Sequence, residues 1–374
     1  MHISQAFDGG NIDIVAADDP SDIRLAIRKD HRSDFYQWFS FRLSGVTDTP
    51  CRISIVNADG AAYADGWPGY RTCASYDRET WFRLPTVYEN GILRFEVEPE
   101  QDSLYIAYFA PYSMERHADL IAEVAGSPLA VTRVLGHTLD GQDMDLVEVG
   151  HGRDGRKAVW LIARQHPGET MAEWWMEGAF DTLLDPDNPI ARALLEKAHF
   201  YIVPNMNPDG SRRGHLRTNA AGVNLNRVWN APDMDTSPEV SLVRAAMLET
   251  GVDFHLDVHG DEALPYCFIA GFEGIPSLKP GQTALFERYV SDLCGRSPDF
   301  QRTHGYPVDA AGSSDLKKCT DYVAETFGCL AMTLEMPFKD NADLPDDTFG
   351  WSPERSRHLA RACLESLLPL LDDL

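Results

Sequence analysis

The sequence is short of positive charge. Against 58 Asp and Glu stand only 33 Lys and Arg over 374 residues, a formal net charge of −25. Binding nucleic-acid phosphates needs clustered Lys and Arg that displace counterions, so this balance argues against a nucleic-acid scaffold and against docking on an anionic membrane. No run approaches the ~18 apolar residues that a membrane span requires. The opening MHISQAFDGG carries Asp8 and no apolar stretch, so no secretory leader is expected. The seven cysteines (Cys51, Cys73, Cys267, Cys294, Cys319, Cys329, Cys363) are scattered, odd in number and without CxxC spacing. That suits free thiols in a reducing compartment better than a disulfide framework or a thiolate metal site. Internal repeats and low-complexity linkers are also missing. A soluble cytoplasmic protein is expected, and its 44% hydrophobic content is that of a globular chain.

The length suits two domains of ordinary size. Residues 1–112 carry short β-rich segments, 23–29, 35–43, 51–56, 92–98 and 104–110, separated by turns such as Asn57-Ala58-Asp59-Gly60 and Glu89-Asn90-Gly91. Few helical windows interrupt them, which predicts an antiparallel β-sandwich. From residue 113 the pattern changes. Apolar strands (129–135, 144–149, 158–163, 200–204, 253–258, 330–335) alternate with amphipathic helical stretches (113–125, 170–184, 190–198, 238–250, 283–294, 315–327, 353–371). That alternation predicts an α/β domain over 113–374, a mixed, largely parallel sheet flanked by helices. Ligands of such sheets gather at the carboxyl ends of the strands.

The sharpest local feature is Gln165-His166-Pro167-Gly168-Glu169, on the turn between a strand and a helix. Three residues of separation in a tight turn can aim an imidazole and a carboxylate at one point, as a catalytic zinc requires of its ligands. The bland reading is a surface His and a Glu favoured by the helix N-terminus. In Asp253–Gly260, Phe254, Leu256 and Val258 share one face, and His255, Asp257 and His259 the other. Only His259, at the strand end, is accessible to a ligand. His255 reads as a core histidine, and Asp257 as either a support for a neighbouring ligand or a structural acid. Asn207-Pro208-Asp209-Gly210 reads as a turn. Beyond it, Arg212, Arg213, His215, Arg217 and Arg227 fall within sixteen residues of a very acidic chain. Arg offers a planar fork for carboxylates, so an anion-binding site is expected there. Finally, Glu335 sits near the end of the apolar run 330–338; a buried Glu is costly unless paired or functional. In a partly dry cleft it can take a proton from an attacking water and pass it to a leaving amine.

Taken in order, HPGE, NPDG, an arginine, Ala221-Gly222-Val223-Asn224-Leu225-Asn226-Arg227, His259 and Glu335 resemble the zinc metallocarboxypeptidases. The preceding β-domain makes the cytosolic carboxypeptidase subfamily, bacterial branch, the nearest likeness. The resemblance implies one Zn²⁺ per chain held by His166, Glu169 and His259, with Glu335 as general base and acid. It implies that Arg217 polarises the scissile carbonyl and that Asn226 and Arg227 grip the substrate's terminal carboxylate. Where many relatives have an Asp two residues before that Asn, this chain has Asn224, so an amide oxygen would support His166. Tyr306 is a candidate for the substrate-capping tyrosine.

The function expected is removal of the C-terminal residue from peptides or protein tails, with no nucleic-acid or membrane partner. Two other readings share the motif. One is a zinc amidohydrolase that deacylates N-acyl amino acids, of the desuccinylase or aspartoacylase kind. The other is a non-catalytic module that binds C-termini. The subfamily resemblance suggests acidic terminal residues, for which Lys317 or Lys318, on the helix leading toward Glu335, would supply the side-chain partner.

Overall fold

The computed structural model describes residues 1–374. The amino-terminal part is two five-stranded sheets. One runs in the order His2–Ser4, Ser40–Ser44, Ser103–Ala107, Thr72–Ser75, Phe82–Leu84; the other Asp13–Ala16, Ile23–Ala26, Cys51–Ile55, Ile92–Val97, Thr86–Glu89. The period of two is what builds them. Ile53, Ile55, Leu93 and Phe95 of one sheet and Phe41, Leu43, Leu104 and Ile106 of the other are buried, each contributing about 1.5–3 kcal/mol of transfer free energy. The intervening Arg52 and Glu96 meet as a surface ion pair. Pairing is antiparallel apart from Ile23–Ala26 against Cys51–Ile55, which run parallel. The segment 35–43 forms a strand only from Ser40; before it, Trp38 and Phe39 are buried from irregular backbone.

The rest of the chain builds a seven-stranded mixed sheet in the order Ala130–His137, Asp143–Val149, Ala198–Val203, Lys157–Ala163, Phe254–Asp261, Leu330–Pro337, Phe268–Ala270. The four strands from Ala198–Val203 to Leu330–Pro337 are parallel; the outer ones are antiparallel. Helices such as Met171–Leu184, Pro238–Thr250 and Pro353–Leu367 cover the sheet, which explains why Val159, Leu161, Leu256, Val258 and Leu334 are all buried. No helix is long and apolar enough to cross a membrane. In register, Val258 lies beside both Ala163 and Leu334, and His259 beside Glu335. Three strand ends therefore converge on one point.

Two local expectations are corrected. NPDG does not end as a turn: Asn207 caps a short helix, Pro208–Arg213, its side chain accepting from Gly210 N at 3.0 Å. The helix expected over 315–327 begins only at Cys319. Asp315 takes the N–H groups of Lys317 and Lys318 into a turn, so Lys317 precedes the helix and Lys318 stands at its cap.

Helix Met114–Ala125, capped by Ser113, docks through a buried imidazole. His117 Nδ1 lies 2.6 Å from Glu173 and Nε2 3.2 Å from Asp145. Burial alone would lower its pKa, but the two carboxylates outweigh burial and push it up to about 9. Because the folded state binds this proton more tightly than the unfolded chain, the stabilisation is complete below about pH 6.5 and is lost as pH rises through about 9. It amounts to at most ~3 kcal/mol. Urea unfolding between pH 6 and 10 should show that decline, and His117→Gln should flatten it; an unchanged slope in the variant would refute the assignment.

Candidate active site

The turn that follows strand Lys157–Ala163 is shaped from behind. Arg164 has φ +60°, a left-handed backbone that costs a side-chain-bearing residue about 1–3 kcal/mol. Its buried guanidinium donates to Pro167 O (3.0 Å), Tyr112 O (2.8 Å) and Glu173 Oε2 (2.5 Å). These bonds hold the turn in place. Gly168 presses against the neighbouring loop, its N–H bonded to Leu216 O at 2.8 Å, and a Cβ there would come within 2.9 Å of that oxygen.

His166 and Glu169 emerge from this turn beside His259, and one ligand atom from each lies within 4.8 Å of the others. His166 Nδ1 is 2.7 Å from Glu169 Oε1, and His259 Nδ1 is 2.7 Å from Glu169 Oε2. The remote nitrogens are engaged elsewhere: His166 Nε2 reaches Asn224 Oδ1 at 3.1 Å, and His259 Nε2 reaches Asp257 Oδ2 at 3.0 Å. Asn224 and Asp257 each stand as acceptors for a ring Nε2–H, so Nδ1 of each ring is the nitrogen that would face a bound metal, the arrangement a metal-ligating imidazole needs. Two nitrogens and a carboxylate, with one side open, fit a catalytic zinc. Burial, reinforced by Arg217, pushes His166 down to about 4. Burial acts to raise Glu169, but the flanking imidazoles hold it below the usual carboxylate range.

Asp257, left open between two roles by its sequence, therefore supports His259. It also accepts from Gln165 Nε2 at 2.5 Å, and Gln165 Oε1 accepts from Trp229 Nε1 at 2.8 Å. His255 is a core histidine as expected, its Nε2 3.2 Å from Cys319 Sγ.

Around these groups opens a cavity of about 590 Å³. Glu335, Arg217, Asn226, Arg227, Tyr306 and Lys318 all line it. Glu335 Oε1 accepts from Tyr306 OH at 3.2 Å, while Oε2 is buried without a partner. Burial raises the Glu335 pKa well above the carboxylate range. The single Tyr306 hydroxyl proton is shared between Glu335 Oε1 and Asp261 Oδ2, the latter contact being the shorter of the two at 2.6 Å. Asn226 Oδ1 is fixed by Cys319 N (2.8 Å), which leaves its amide NH₂ as the free donor. Arg217 Nε is buried without a partner, and the Arg227 guanidinium bonds only the carbonyl of Asn226. Lys317 is exposed and outside the lining, whereas Lys318 Nζ stands 3.7 Å from Asp309 and 4.0 Å from Asp321. Arg212 and Arg213 also lie outside, Arg213 being paired with Asp140.

Sequence reasoning missed Tyr63, Asp261 and Glu262, which also line the cavity. Tyr63 comes from the amino-terminal domain and carried no signal. Asp261 and Glu262 directly follow the His259-Gly260 strand end, and that position could have flagged them.

Comparison with known proteins agrees with this geometry. Residues 3–109 match the cytosolic carboxypeptidase N-terminal domain, and residues 118–357 match the zinc carboxypeptidase family. An uncharacterized protein of Zymomonas mobilis is 52% identical over all of this chain and 97% of its own length. A metallo-carboxypeptidase from Burkholderia cenocepacia superposes with a TM-score of 0.97 at 47% identity, covering 100% of both chains. A metallo-carboxypeptidase from Pseudomonas aeruginosa, solved with (2-guanidinoethylmercapto)succinic acid, does so with a TM-score of 0.98 at 45% identity, again over 100% of both. The chain thus belongs to the zinc carboxypeptidase family, and it is a metallopeptidase, a hydrolase of the exopeptidase kind.

Proposed function

We propose that this chain is a one-zinc carboxypeptidase that removes a single, acidic C-terminal residue from peptides or protein tails. The observation that carries the reading is the convergence of His166, Glu169 and His259 with Glu335, Arg217, Asn226 and Arg227 on one cavity. Residues 1–112 form its β-sandwich domain and 113–374 its catalytic domain. It works in the cytoplasm, where its seven free thiols stay reduced.

In this mechanism Arg227 and the free amide of Asn226 take the substrate's terminal carboxylate, which makes the enzyme an exopeptidase. Arg217 donates to the scissile carbonyl oxygen and follows its charge as it develops. Zinc, when bound, supplies Lewis-acid polarisation and makes water a nucleophile at neutral pH. Glu335 accepts the proton of the attacking water at its free Oε2 and delivers it to the leaving amine. The hydroxyl of Tyr306 orients that carboxylate through its 3.2 Å bond to Oε1.

Lys318 takes the side-chain carboxylate of the departing residue. It is the one lysine lining the cavity, and distances of 3.7 and 4.0 Å to its acidic neighbours leave its ammonium free to donate. A second reading, a basic terminal residue, is favoured by Glu273, Asp309 and Asp321 in the same lining and by the guanidino group of the compound bound to the Pseudomonas enzyme.

Three measurements test these assignments. Metal analysis should find one zinc per chain, largely lost in His166→Ala and His259→Ala; full occupancy in both variants would overturn the ligand set. Glu335→Gln should retain fold and zinc yet lose about 10²–10⁴-fold in kcat; near-native turnover would place the base elsewhere. Peptides differing only in their last residue decide specificity, with N-acyl amino acids run in parallel. Lys318→Met should cut kcat/KM for a Glu-ending peptide by about 1.5–3 kcal/mol while sparing a Leu-ending one. A wild type that prefers an Arg-ending peptide would establish the basic reading instead.

A further inference from the structure

The loop that carries Arg217 is held by the other domain. Asp30, in the amino-terminal β-domain and only 2% exposed, accepts three consecutive backbone N–H groups. Its Oδ1 takes Leu216 N at 2.7 Å, and its Oδ2 takes Arg217 N at 2.8 Å and Thr218 N at 2.9 Å. The Thr218 hydroxyl adds a fourth bond at 3.1 Å. No backbone group of the catalytic domain could replace an acceptor of this kind, because one carbonyl oxygen cannot receive three successive amides.

The docking is reinforced on both sides. His31 N donates to His215 Nε2 at 3.1 Å, and His215 Nδ1 lies 2.8 Å from Thr218 O. Asn11 Nδ2 donates to Gly214 O at 2.7 Å. At Gly222, φ +82°, a Cβ would meet the Arg32 carbonyl at 2.5 Å, so the two loops are packed at backbone contact. The side chain of Arg217 is held as well: its guanidinium lies 5.6 Å from the Phe35 ring centre and 5.3 Å from that of Tyr63. Both rings belong to the β-domain. With Nε buried and unpartnered, the guanidinium is aimed by aromatic faces and not by a competing carboxylate.

From this arrangement we infer that Asp30 is a positioning residue for catalysis: it sets the backbone of Arg217 from the amino-terminal domain, with Phe35 and Tyr63 setting its side chain. The β-domain thereby completes the active site and is not an appendage to it. The inference rests on the reading of Arg217 as the group that polarises the scissile carbonyl. A carboxylate acting on three amides fixes the loop to within a fraction of an ångström, and a misplacement of about 1 Å at a catalytic donor can cost on the order of 10²-fold in rate.

The test is a double-mutant cycle on the full-length, zinc-loaded enzyme. Asp30→Asn keeps the volume but turns one acceptor into a donor facing an amide N–H. It should lower kcat about 10–100-fold and change KM less than about 3-fold, because the interaction with Arg217 develops in the transition state. Zinc content should stay at the wild-type level. Arg217→Ala alone should cost about 10²–10³-fold in kcat. In the Arg217→Ala background, Asp30→Asn should cost less than about 3-fold further, since the two act through one interaction. A milder variant, Phe35→Leu at a partly exposed position, should repeat the pattern with a smaller loss and guards against a fold defect in the first. If Asp30→Asn and Phe35→Leu cost the same with and without Arg217, or if they raise KM and shed zinc with kcat intact, the inference is overturned while the role of Arg217 stands. If Arg217→Ala itself leaves kcat unchanged, the underlying reading of Arg217 fails, and the inference with it.

Discussion

The ion pair between Arg164 and Glu173 is the constraint on which the site depends. Both side chains are buried, so their charges are sustainable only because each is paired and further hydrogen-bonded. Arg164 ties the strained HPGE turn to the Tyr112 carbonyl, at the junction between the domains. Glu173 passes the connection on: Oε2 also accepts from Asn205 Nδ2 at 3.1 Å, and Oε1 meets His117. Through Asn205, which accepts from Asn207 N, the network reaches the helix that opens the Arg217 loop. One buried pair therefore joins the turn bearing His166 and Glu169 to the segment bearing the arginines. Removing either partner would leave an uncompensated buried charge, and that asymmetry keeps the turn in its left-handed conformation.

A second constraint joins the domains on the far side of the cavity. Arg83, in the β-domain and 5% exposed, has no carboxylate partner; its guanidinium donates to the carbonyls of Arg71, Phe338, Lys339, Phe349 and Trp351. Phe338 follows the Glu335 strand, stacks on Tyr108 at 4.5 Å, and its N–H donates to Asp261 O. Asp261 in turn receives the Tyr306 hydroxyl. The β-domain thus grips the cavity at two places, through Arg83 beyond Glu335 and through Asp30 beneath Arg217. These contacts are polar and directional, so they fix geometry where apolar burial alone would fix only proximity.

How much of this could be read from the chain depends on the range of the interaction. The strands and helices that carry the site follow local periodicity, and the HPGE turn, the His259 strand end and Glu335 were legible for the same reason. Asn224 was legible as the partner of His166 because its motif fixes its place. Lys317 was not, since whether a residue two steps before a helix faces a cavity turns on the Asp315 turn that delays the helix start. Asp30 and Tyr63 were beyond reach altogether. Asp30 lies 187 residues from Arg217 and sits among ordinary loop residues, and nothing local distinguishes a carboxylate that will bind three remote amides from one that will be solvated.

The electrostatics of the site resolve an apparent conflict between a charge of −25 and an anionic substrate end. At physiological ionic strength the screening length is about 8 Å, so most of the surface acids are scarcely felt inside a cleft. A guanidinium about 4 Å from a carboxylate gains roughly 4 kcal/mol at an effective dielectric near 20, more than the residual repulsion opposes. What matters is that the local cations remain uncommitted. In this chain many surface arginines are paired, as Arg213 is with Asp140 and Arg288 with Asp373, whereas Arg217 and Arg227 in the cavity have no carboxylate partner. Glu262, which feels the charge of Arg217, is pushed by burial toward the neutral form, which weakens its claim on that cation. The cavity is therefore locally receptive to a carboxylate even though the molecule as a whole is strongly acidic, and the receptivity comes from withheld ion pairs and not from an excess of positive residues.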